Sequence, residues 1–204
     1  MKRRTMRRED LDGDSIYLLH DFLSKEECGR FIAFGEGRGF EDAPITTAYG
    51  MVMAKDLRNN TRVMVDDVQL AARLFERAEA FLPDRAGGGH LHGLNERFRF
   101  YRYDVGQTFR PHYDGSYSRN AEEESRLTFM IYLNDDFDGG TTEFYGDDEA
   151  PRASVRPRRG SALVFVHAQL HEGAPVLRGR KYVLRTDVMY RAGPMRNSMR
   201  ENRT

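Results

Sequence analysis

From residue 94 onward the sequence is a succession of short strand-like runs broken by glycine and proline, with no helical periodicity between them. Residues 97–103 (RFRFYRY) alternate Phe98, Phe100 and Arg102 against Arg97, Arg99, Tyr101 and Tyr103. A period of two marks an extended strand with two different faces. Further runs follow at 127–133, 141–145, 162–166 and 182–190, punctuated by Gly139-Gly140, Pro151, Pro157 and Gly160. Short strands in series exclude a helical bundle and point to a sandwich or barrel.

The first third reads differently. Residues 15–23 (SIYLLHDFL) form an apolar, strand-like run that leads into a helix. Ser24 and Glu27 have capping-box spacing, and Leu23 and Cys28 are placed as a hydrophobic staple. Cys28, Phe31 and Ile32 then share one helical face, and Gly35 and Gly37 are expected to end it. A second helix is expected over 67–82, opened by Asp66 and stopped before Pro83, with Leu70, Leu74, Ala78 and Phe81 as its buried stripe. Residues 49–60 read as strand and loop, and Gly87, Gly88 and Gly89 as a loop joint. The expected fold class is mainly β with flanking α-helices. One domain is expected, with residues 1–93 as an α/β support region, 94–191 as the β core and 192–204 as a basic tail.

Composition narrows the functional classes. The 204 residues carry 32 Lys plus Arg against 32 Asp plus Glu. No apolar run approaches the roughly 18 residues that would span a bilayer. A single cysteine, Cys28, excludes an intramolecular disulfide framework and fits a reducing cytoplasm. The neutral total hides an uneven distribution. Both ends are basic, with Lys2, Arg3, Arg4, Arg7 and Arg8 at one and Arg191, Arg196, Arg200 and Arg203 at the other, and are read as solvated tails. Residues 113–150 hold eleven acids against Arg119 and Arg126 alone. Glu122, Glu123 and Glu124 in that stretch read as a solvated loop, or as a lid attracting a basic substrate.

The chemistry-bearing residues cluster late in the chain. His112-Tyr113-Asp114 is an H-x-D tripeptide, and on an extended strand both side chains point to one face. With a second histidine from a distant strand, these residues would form a two-histidine, one-carboxylate triad, which leaves positions open on a non-haem Fe(II) ion. His171 is the candidate, because Lys181 follows ten residues later, after a turn marked by Pro175 and Gly179. His167-Ala-Gln-Leu-His171 lacks the glutamate of a zinc-protease helix. His90 and His92 read as exposed loop, His20 as a partly buried structural residue and Cys28 as core.

The segments YRYDVGQTFRPHYD, LTFMIYLND, GGTTEF and HEGAPVLRGRKYVLRTD, in that order and spacing, resemble the prolyl 4-hydroxylase-like family of Fe(II)/2-oxoglutarate dioxygenases. The resemblance is close over 94–191 and looser back to Phe22-Leu23-Ser24. It implies a double-stranded β-helix, the cupin-like jelly roll, buttressed by the N-terminal helices. It also implies that His112, Asp114 and His171 ligate iron and that Lys181 pairs with the distal carboxylate of 2-oxoglutarate. Tyr103 and Tyr132 match residues that help hold this cosubstrate, with Met130 as an apolar wall and Thr142 at the pocket edge. Many members have a small or uncharged residue where Arg185 stands. Alternation puts Arg185 on the Lys181 face, and two roles stay open for it: sharing the cosubstrate carboxylate, or reading the substrate.

The implied reaction is hydroxylation of an unactivated C–H bond with Fe(II), 2-oxoglutarate and O2, releasing succinate and CO2 and supported by ascorbate. Retention of Asp114 favours hydroxylation over halogenation, since related halogenases generally lack the carboxylate. The expected substrate is a peptide, a protein side chain or an amino-acid-like small molecule, neutral or basic because of the acidic middle segment. Membrane association is not expected, and the oligomeric state is not legible. Two alternatives are nucleic-acid demethylation, which a basic groove would favour, and a non-catalytic cupin-like binding domain, against which the intact His112, Asp114, His171 and Lys181 set argues.

Overall fold

The computed structural model describes residues 5–47, 49–146 and 148–193. Its largest element is an antiparallel sheet whose centre is formed by Ala162–Val166, Glu123–Tyr132, Lys181–Arg191 and Arg97–Tyr103, in that order. Ile16–His20 and Arg7–Asp12 extend it on one side, and Thr61–Asp66 on the other. A smaller sheet runs Phe109–His112, Leu170–Gly173, Thr142–Tyr145, Pro151–Val155. Side chains from both sheets, among them Tyr101, Tyr132, Leu163, Phe165 and Val183 from the large one and Phe144 and Val155 from the small one, make one buried cluster. This is the jelly-roll core that the resemblance implied, and it is one form of the sandwich or barrel expected from the strand pattern.

The period-two pattern of RFRFYRY now has a physical meaning. Phe98 and Phe100 point to the outer face of the large sheet and join Cys28, Leu70, Leu74 and Phe129 in a second core. Tyr101 and Tyr103 point to the inner face. The outer face is covered by helix α1 (Lys25–Arg38) and helix α2 (Val68–Ala78). Arg102, on the outer face, is tied to α1 through Glu36 at 3.2 Å. The helices brace one side of the sheet while the other faces the cavity.

Several local expectations are met and others need correction. The capping box is present: the Glu27 N–H donates to Ser24 Oγ at 3.1 Å, and the Ser24 N–H donates to Glu27 Oε2 at 2.7 Å. Gly35 and Gly37 do not end α1, which runs to Arg38 and closes at Gly39 with φ 79°. Gly35 answers a packing need, because a Cβ there would stand 3.0 Å from the Phe40 ring. Asp67, not Asp66, caps α2, accepting from the Leu70 N–H at 2.8 Å, while Asp66 ends a strand and pairs with Arg97 at 3.0 Å. A short 3-10 turn, Glu79–Phe81, follows α2.

The supposed loops and tails are also more ordered. His90 and His92 lie in the strand Gly89–Leu94, which pairs with Lys181–Arg191. Glu123 is buried in the strand Glu123–Tyr132, held by Arg119 at 2.7 Å, by Arg191 and by His92 at 3.1 Å. Arg7 and Arg8 belong to an edge strand, with the Arg8 guanidinium 3.7 Å from the centre of the Tyr17 ring. Lys2, Arg3, Arg4, Arg196, Arg200 and Arg203 lie outside the described residues. His20 is buried against Glu9 at 2.5 Å, and Cys28 is buried in the core, which pushes its thiol up to about 11.

Candidate active site

The cavity between the sheets collects the residues that the H-x-D tripeptide and its partners pointed to. His112 ends one strand of the small sheet and is the cross-strand partner of His171. Directly paired residues hold their side chains together, and the two ring centres are 4.3 Å apart. Asp114 sits just beyond the strand end, with its N–H donating to the His167 carbonyl at 3.2 Å. One ligand atom from each of His112, Asp114 and His171 lies within 4.8 Å of the others.

Both imidazoles are oriented by backbone. His112 Nδ1 is 2.8 Å from the Arg110 carbonyl oxygen, and His171 Nδ1 is 2.9 Å from that of Gln169. A carbonyl can only accept, so Nδ1 carries the proton in each ring and Nε2 presents a lone pair. Burial pushes the His112 imidazole down to about 3 and lowers that of His171 as well, so both rings are neutral at ordinary pH. Burial alone would raise Asp114, but the Arg185 guanidinium, helped by the Thr128 hydroxyl that donates to Asp114, outweighs burial and keeps the carboxylate ionised. Asp114 Oδ2 accepts from Thr128 Oγ1 at 2.5 Å and pairs with Arg185 at 3.0 Å. Two neutral nitrogens and an anchored carboxylate converging on one point fit a divalent metal, and specifically the two-histidine, one-carboxylate set of Fe(II).

A second feature of the cavity fits a carboxylate ligand. Lys181 is 3% exposed, and its Nζ donates to the Gly140 carbonyl at 2.6 Å. No carboxylate lies within ion-pair distance of it among the described residues. Burial lowers its ammonium to about 7, since nothing anionic opposes the loss of water. Tyr103 and Tyr132 stand beside it, with ring centres 5.3 and 5.6 Å from Nζ. The Tyr132 hydroxyl and Thr142 Oγ1 are 2.8 Å apart, and Met130 and Val183 complete this part of the wall. A buried ammonium with two free donors suits the far carboxylate of a dicarboxylic acid.

Arg185 is on the Lys181 face as alternation required, but four residues further along the strand. Its Nη2 reaches Asp114, Asp187 at 3.3 Å and Thr128 at 3.3 Å. The contact is therefore at the metal end of the cavity, away from the lysine.

The sequence reading missed Thr128, Phe109 and Gly140. Thr128 shares its strand face with Met130 and Tyr132, so the alternation that selected those two already contained it. Phe109 stacks on His112 at 3.5 Å between ring centres, a contact across a turn-like irregularity that leaves no sequence signal. Gly140 adopts φ +63°, and a Cβ there would stand 3.0 Å from Phe137 and 3.2 Å from the Lys181 side chain. Gly140→Ala is expected to cost about 1–2 kcal/mol of stability through strain. It should also displace Lys181, raising the concentration of a dicarboxylate ligand needed for half-saturation severalfold. Thermal unfolding, alone and across a dicarboxylate titration, checks both effects.

Among the described residues the expected acidic rim is absent. The groove that opens outside the triad, about 550 Å³, is lined by Arg58, Arg62, Arg97, Arg99, Arg110 and Arg185, and Asp114 is the one acid among its lining residues. Acids of the 113–150 segment are engaged elsewhere: Glu123 and Glu124 with arginines, Asp135 and Asp136 with Arg159, and Asp138 with Arg178. The expectation of a neutral or basic substrate therefore loses its basis.

Residues 98–186, which contain the triad, Lys181 and both tyrosines, match the family model described as the 2OG-Fe(II) oxygenase superfamily. Over this core, which is less than half of the chain, the sequence is similar to that superfamily. Prolyl 4-hydroxylase 1 of Arabidopsis thaliana is 27% identical over 192 residues, covering 82% of this chain and 66% of that protein, just under two thirds of its length. A viral collagen prolyl hydroxylase from Paramecium Bursaria Chlorella virus-1, solved with 2OG, superposes with a TM-score of 0.64 at 20% identity, covering 89% of this chain and 99% of that one. A Trichoplax adhaerens prolyl hydroxylase, solved with a hypoxia inducible factor oxygen degradation domain peptide fragment, gives 0.65 at 16% identity, covering 87% and 84%. The jelly-roll fold of this chain is thus shared with these hydroxylases. Among the described residues no helix is long and apolar enough to cross a membrane.

Proposed function

We propose that the chain is an Fe(II)- and 2-oxoglutarate-dependent dioxygenase that hydroxylates an unactivated C–H bond in a peptide or protein, with a prolyl ring as first candidate. The observation that carries this reading is the convergence of two neutral, backbone-oriented Nε2 atoms and the Asp114 carboxylate in one cavity with the unopposed Lys181 ammonium. Prolyl hydroxylase relatives and a neighbour bound to a peptide support the substrate class. Nucleic-acid demethylation and a non-catalytic binding domain are not favoured by these comparisons.

When bound, Fe(II) with 2-oxoglutarate and O2 supplies the oxidant that turns C–H into C–OH while 2-oxoglutarate becomes succinate and CO2. His112, Asp114 and His171 would hold the metal, a set of three ligands that leaves positions for the cosubstrate and O2. Lys181 would anchor the distal carboxylate, with Tyr103 and Tyr132 shaping its compartment. Thr128 and Arg185 hold Asp114 in place, so the carboxylate need not reorganise on metal binding. Phe109, Phe165 and Val183 make the wall that excludes water from the reacting centre.

The proposal treats residues 1–204 as one dioxygenase domain, with 94–191 as catalytic core, 1–93 as support and 192–204 as tail. It includes ascorbate as a supporting reductant and, on the single buried Cys28, a reducing, cytoplasmic setting. The test is succinate formation from 2-oxoglutarate with Fe(II) and ascorbate. The expected result is turnover that requires added Fe(II) and is stimulated by a proline-containing peptide pool. Succinate formation indifferent to Fe(II) would reject the reading.

A further inference from the structure

The arginine groove outside the triad is not explained by the reaction itself, and its charge is unevenly answered. Arg97 pairs with Asp66, Arg99 with Asp187 at 3.0 Å, and Arg185 with Asp114 and Asp187. Arg58 and Arg62 have no carboxylate within ion-pair distance among the described residues. Among the described residues the hydrogen-bond partner of Arg62 is the Met51 sulfur at 3.5 Å, and burial together with Arg58 and Arg99 lowers its guanidinium.

Arg58 is the more telling of the two. It is 5% exposed, and its Nε donates to Asn60 Oδ1 at 2.7 Å, yet its Nη2 is buried without any hydrogen-bond partner. Its guanidinium lies 4.4 Å from the centre of the Phe109 ring and 4.5 Å from that of Tyr101. Phe109 in turn stacks on His112, so one ring touches both the metal-side histidine and the unanswered cation. The position is built into the fold: the Arg110 N–H donates to the Leu57 carbonyl at 2.9 Å, tying this segment to the strand that carries His112.

The surroundings stay positive even where a side chain could offset them. Tyr101 is fully buried, which should raise its hydroxyl, but Arg58, Arg185 and Arg99 outweigh burial and bring it down to about 8. A guanidinium removed from water with an unsatisfied donor is costly unless an anion answers it. Facing a groove of about 550 Å³ beside the reacting centre, it is placed for an anion carried by the substrate.

We propose that Arg58 and Arg62 form a subsite for a carboxylate side chain of the substrate peptide, so that the enzyme selects a hydroxylation site flanked by Asp or Glu. This rests on the peptide hydroxylase reading above. A peptide carboxylate suits the geometry better than a nucleic-acid backbone. A phosphodiester track is met by a row of exposed cations along the strand, whereas here Arg97, Arg99 and Arg185 are already paired and the buried Arg58 with its neighbour Arg62 offers a local, planar match to a carboxylate.

Three pools of fluorescent proline-centred nonapeptides, with Glu, Gln or Lys at the flanking positions, are compared by anisotropy against protein loaded with Mn(II) and 2-oxoglutarate. The Glu pool is expected to bind about tenfold tighter than the Gln pool, with the Lys pool weakest. Arg58→Gln and Arg62→Gln should each shrink that preference, and Arg62→Glu should turn it toward Lys. Arg62 is partly exposed, so its variants keep the test valid if Arg58→Gln does not fold. Equal binding of the three pools, including no binding of any, overturns the subsite. Displacement of the Glu pool by a single-stranded oligonucleotide at physiological salt, at lower concentration than by free Glu peptide, also overturns it in favour of a nucleic acid. Failure of the hydroxylase reading itself would appear separately, as absence of Fe(II)-dependent succinate formation.

Discussion

Asp114→Ala is expected to reduce Fe(II)-dependent succinate formation by roughly two orders of magnitude or more, with a parallel loss of metal affinity. The carboxylate supplies the one charged donor of the triad, and nothing else in the cavity replaces it. Asp114 also balances Arg185, whose guanidinium is 3.0 Å away and buried. Removing one member of a buried pair commonly costs about 3–5 kcal/mol. Here Asp187 and Thr128 still contact Arg185, so the stability loss should fall at or below the lower end. Asp114→Asn separates the two roles: it preserves shape and a hydrogen-bond acceptor but removes the charge. Metal titration and thermal unfolding of both variants give the check. Wild-type metal affinity in Asp114→Ala would show that the ligand assignment is wrong.

Lys181→Ala is expected to raise the 2-oxoglutarate requirement by about ten- to a hundredfold while metal binding in the absence of 2-oxoglutarate changes little. The ammonium is 3% exposed and its only described acceptor is the Gly140 carbonyl. A pH dependence follows from the same burial. In the free protein the group is lowered to about 7, and a bound carboxylate would raise it again. Binding then takes up a proton wherever the free amine is neutral. Affinity for 2-oxoglutarate should therefore be full below about pH 7 and fall as pH rises above it. Lys181→Arg, which stays charged throughout, should flatten this fall where the guanidinium is accommodated. Calorimetric titration of 2-oxoglutarate against the metal-loaded protein at pH 6.5 and 8.5 measures the difference. A flat response in the wild type would remove Lys181 from the anchor role.

Much of this site was legible because strand alternation is a local property. Lys181, Val183 and Arg185 share a face by a period of two, as do Tyr101 and Tyr103, and the structure keeps both sets inside. The pairing of His112 with His171 was reached through the spacing of Lys181 and the resemblance, not through strand alternation. No local rule links residues 59 positions apart, and their register is set by how the small sheet closes. The partners of a charge are equally non-local. Eleven acids between 113 and 150 suggested an acidic mouth, yet Glu123 turned inward to Arg119 and Arg191, and Asp138 met Arg178. The groove took its charge from Arg58 and Arg62, in the part of the chain where pattern reading resolved least. Thr128 was legible and overlooked, since it lies one alternation step from Met130.

The order of the N-terminal third follows the same logic. Capping at Ser24 was readable from four residues, because a helix start is satisfied locally. The place of Ile16–His20 and Thr61–Asp66 within the catalytic sheet was not, because strand partners are chosen by the whole fold. The support region thereby contributes Arg58 and Arg62 to the wall of the groove.

The central claim is that His112, Asp114 and His171 hold an iron that couples 2-oxoglutarate turnover to hydroxylation. Its most direct test is mass spectrometry of a proline-containing peptide pool incubated with the protein, Fe(II), 2-oxoglutarate and 18O2. The account predicts peptides heavier by one 18O atom, in step with succinate formed, and none with Asp114→Ala. Succinate formation and labelled peptide that persist undiminished in Asp114→Ala would contradict it.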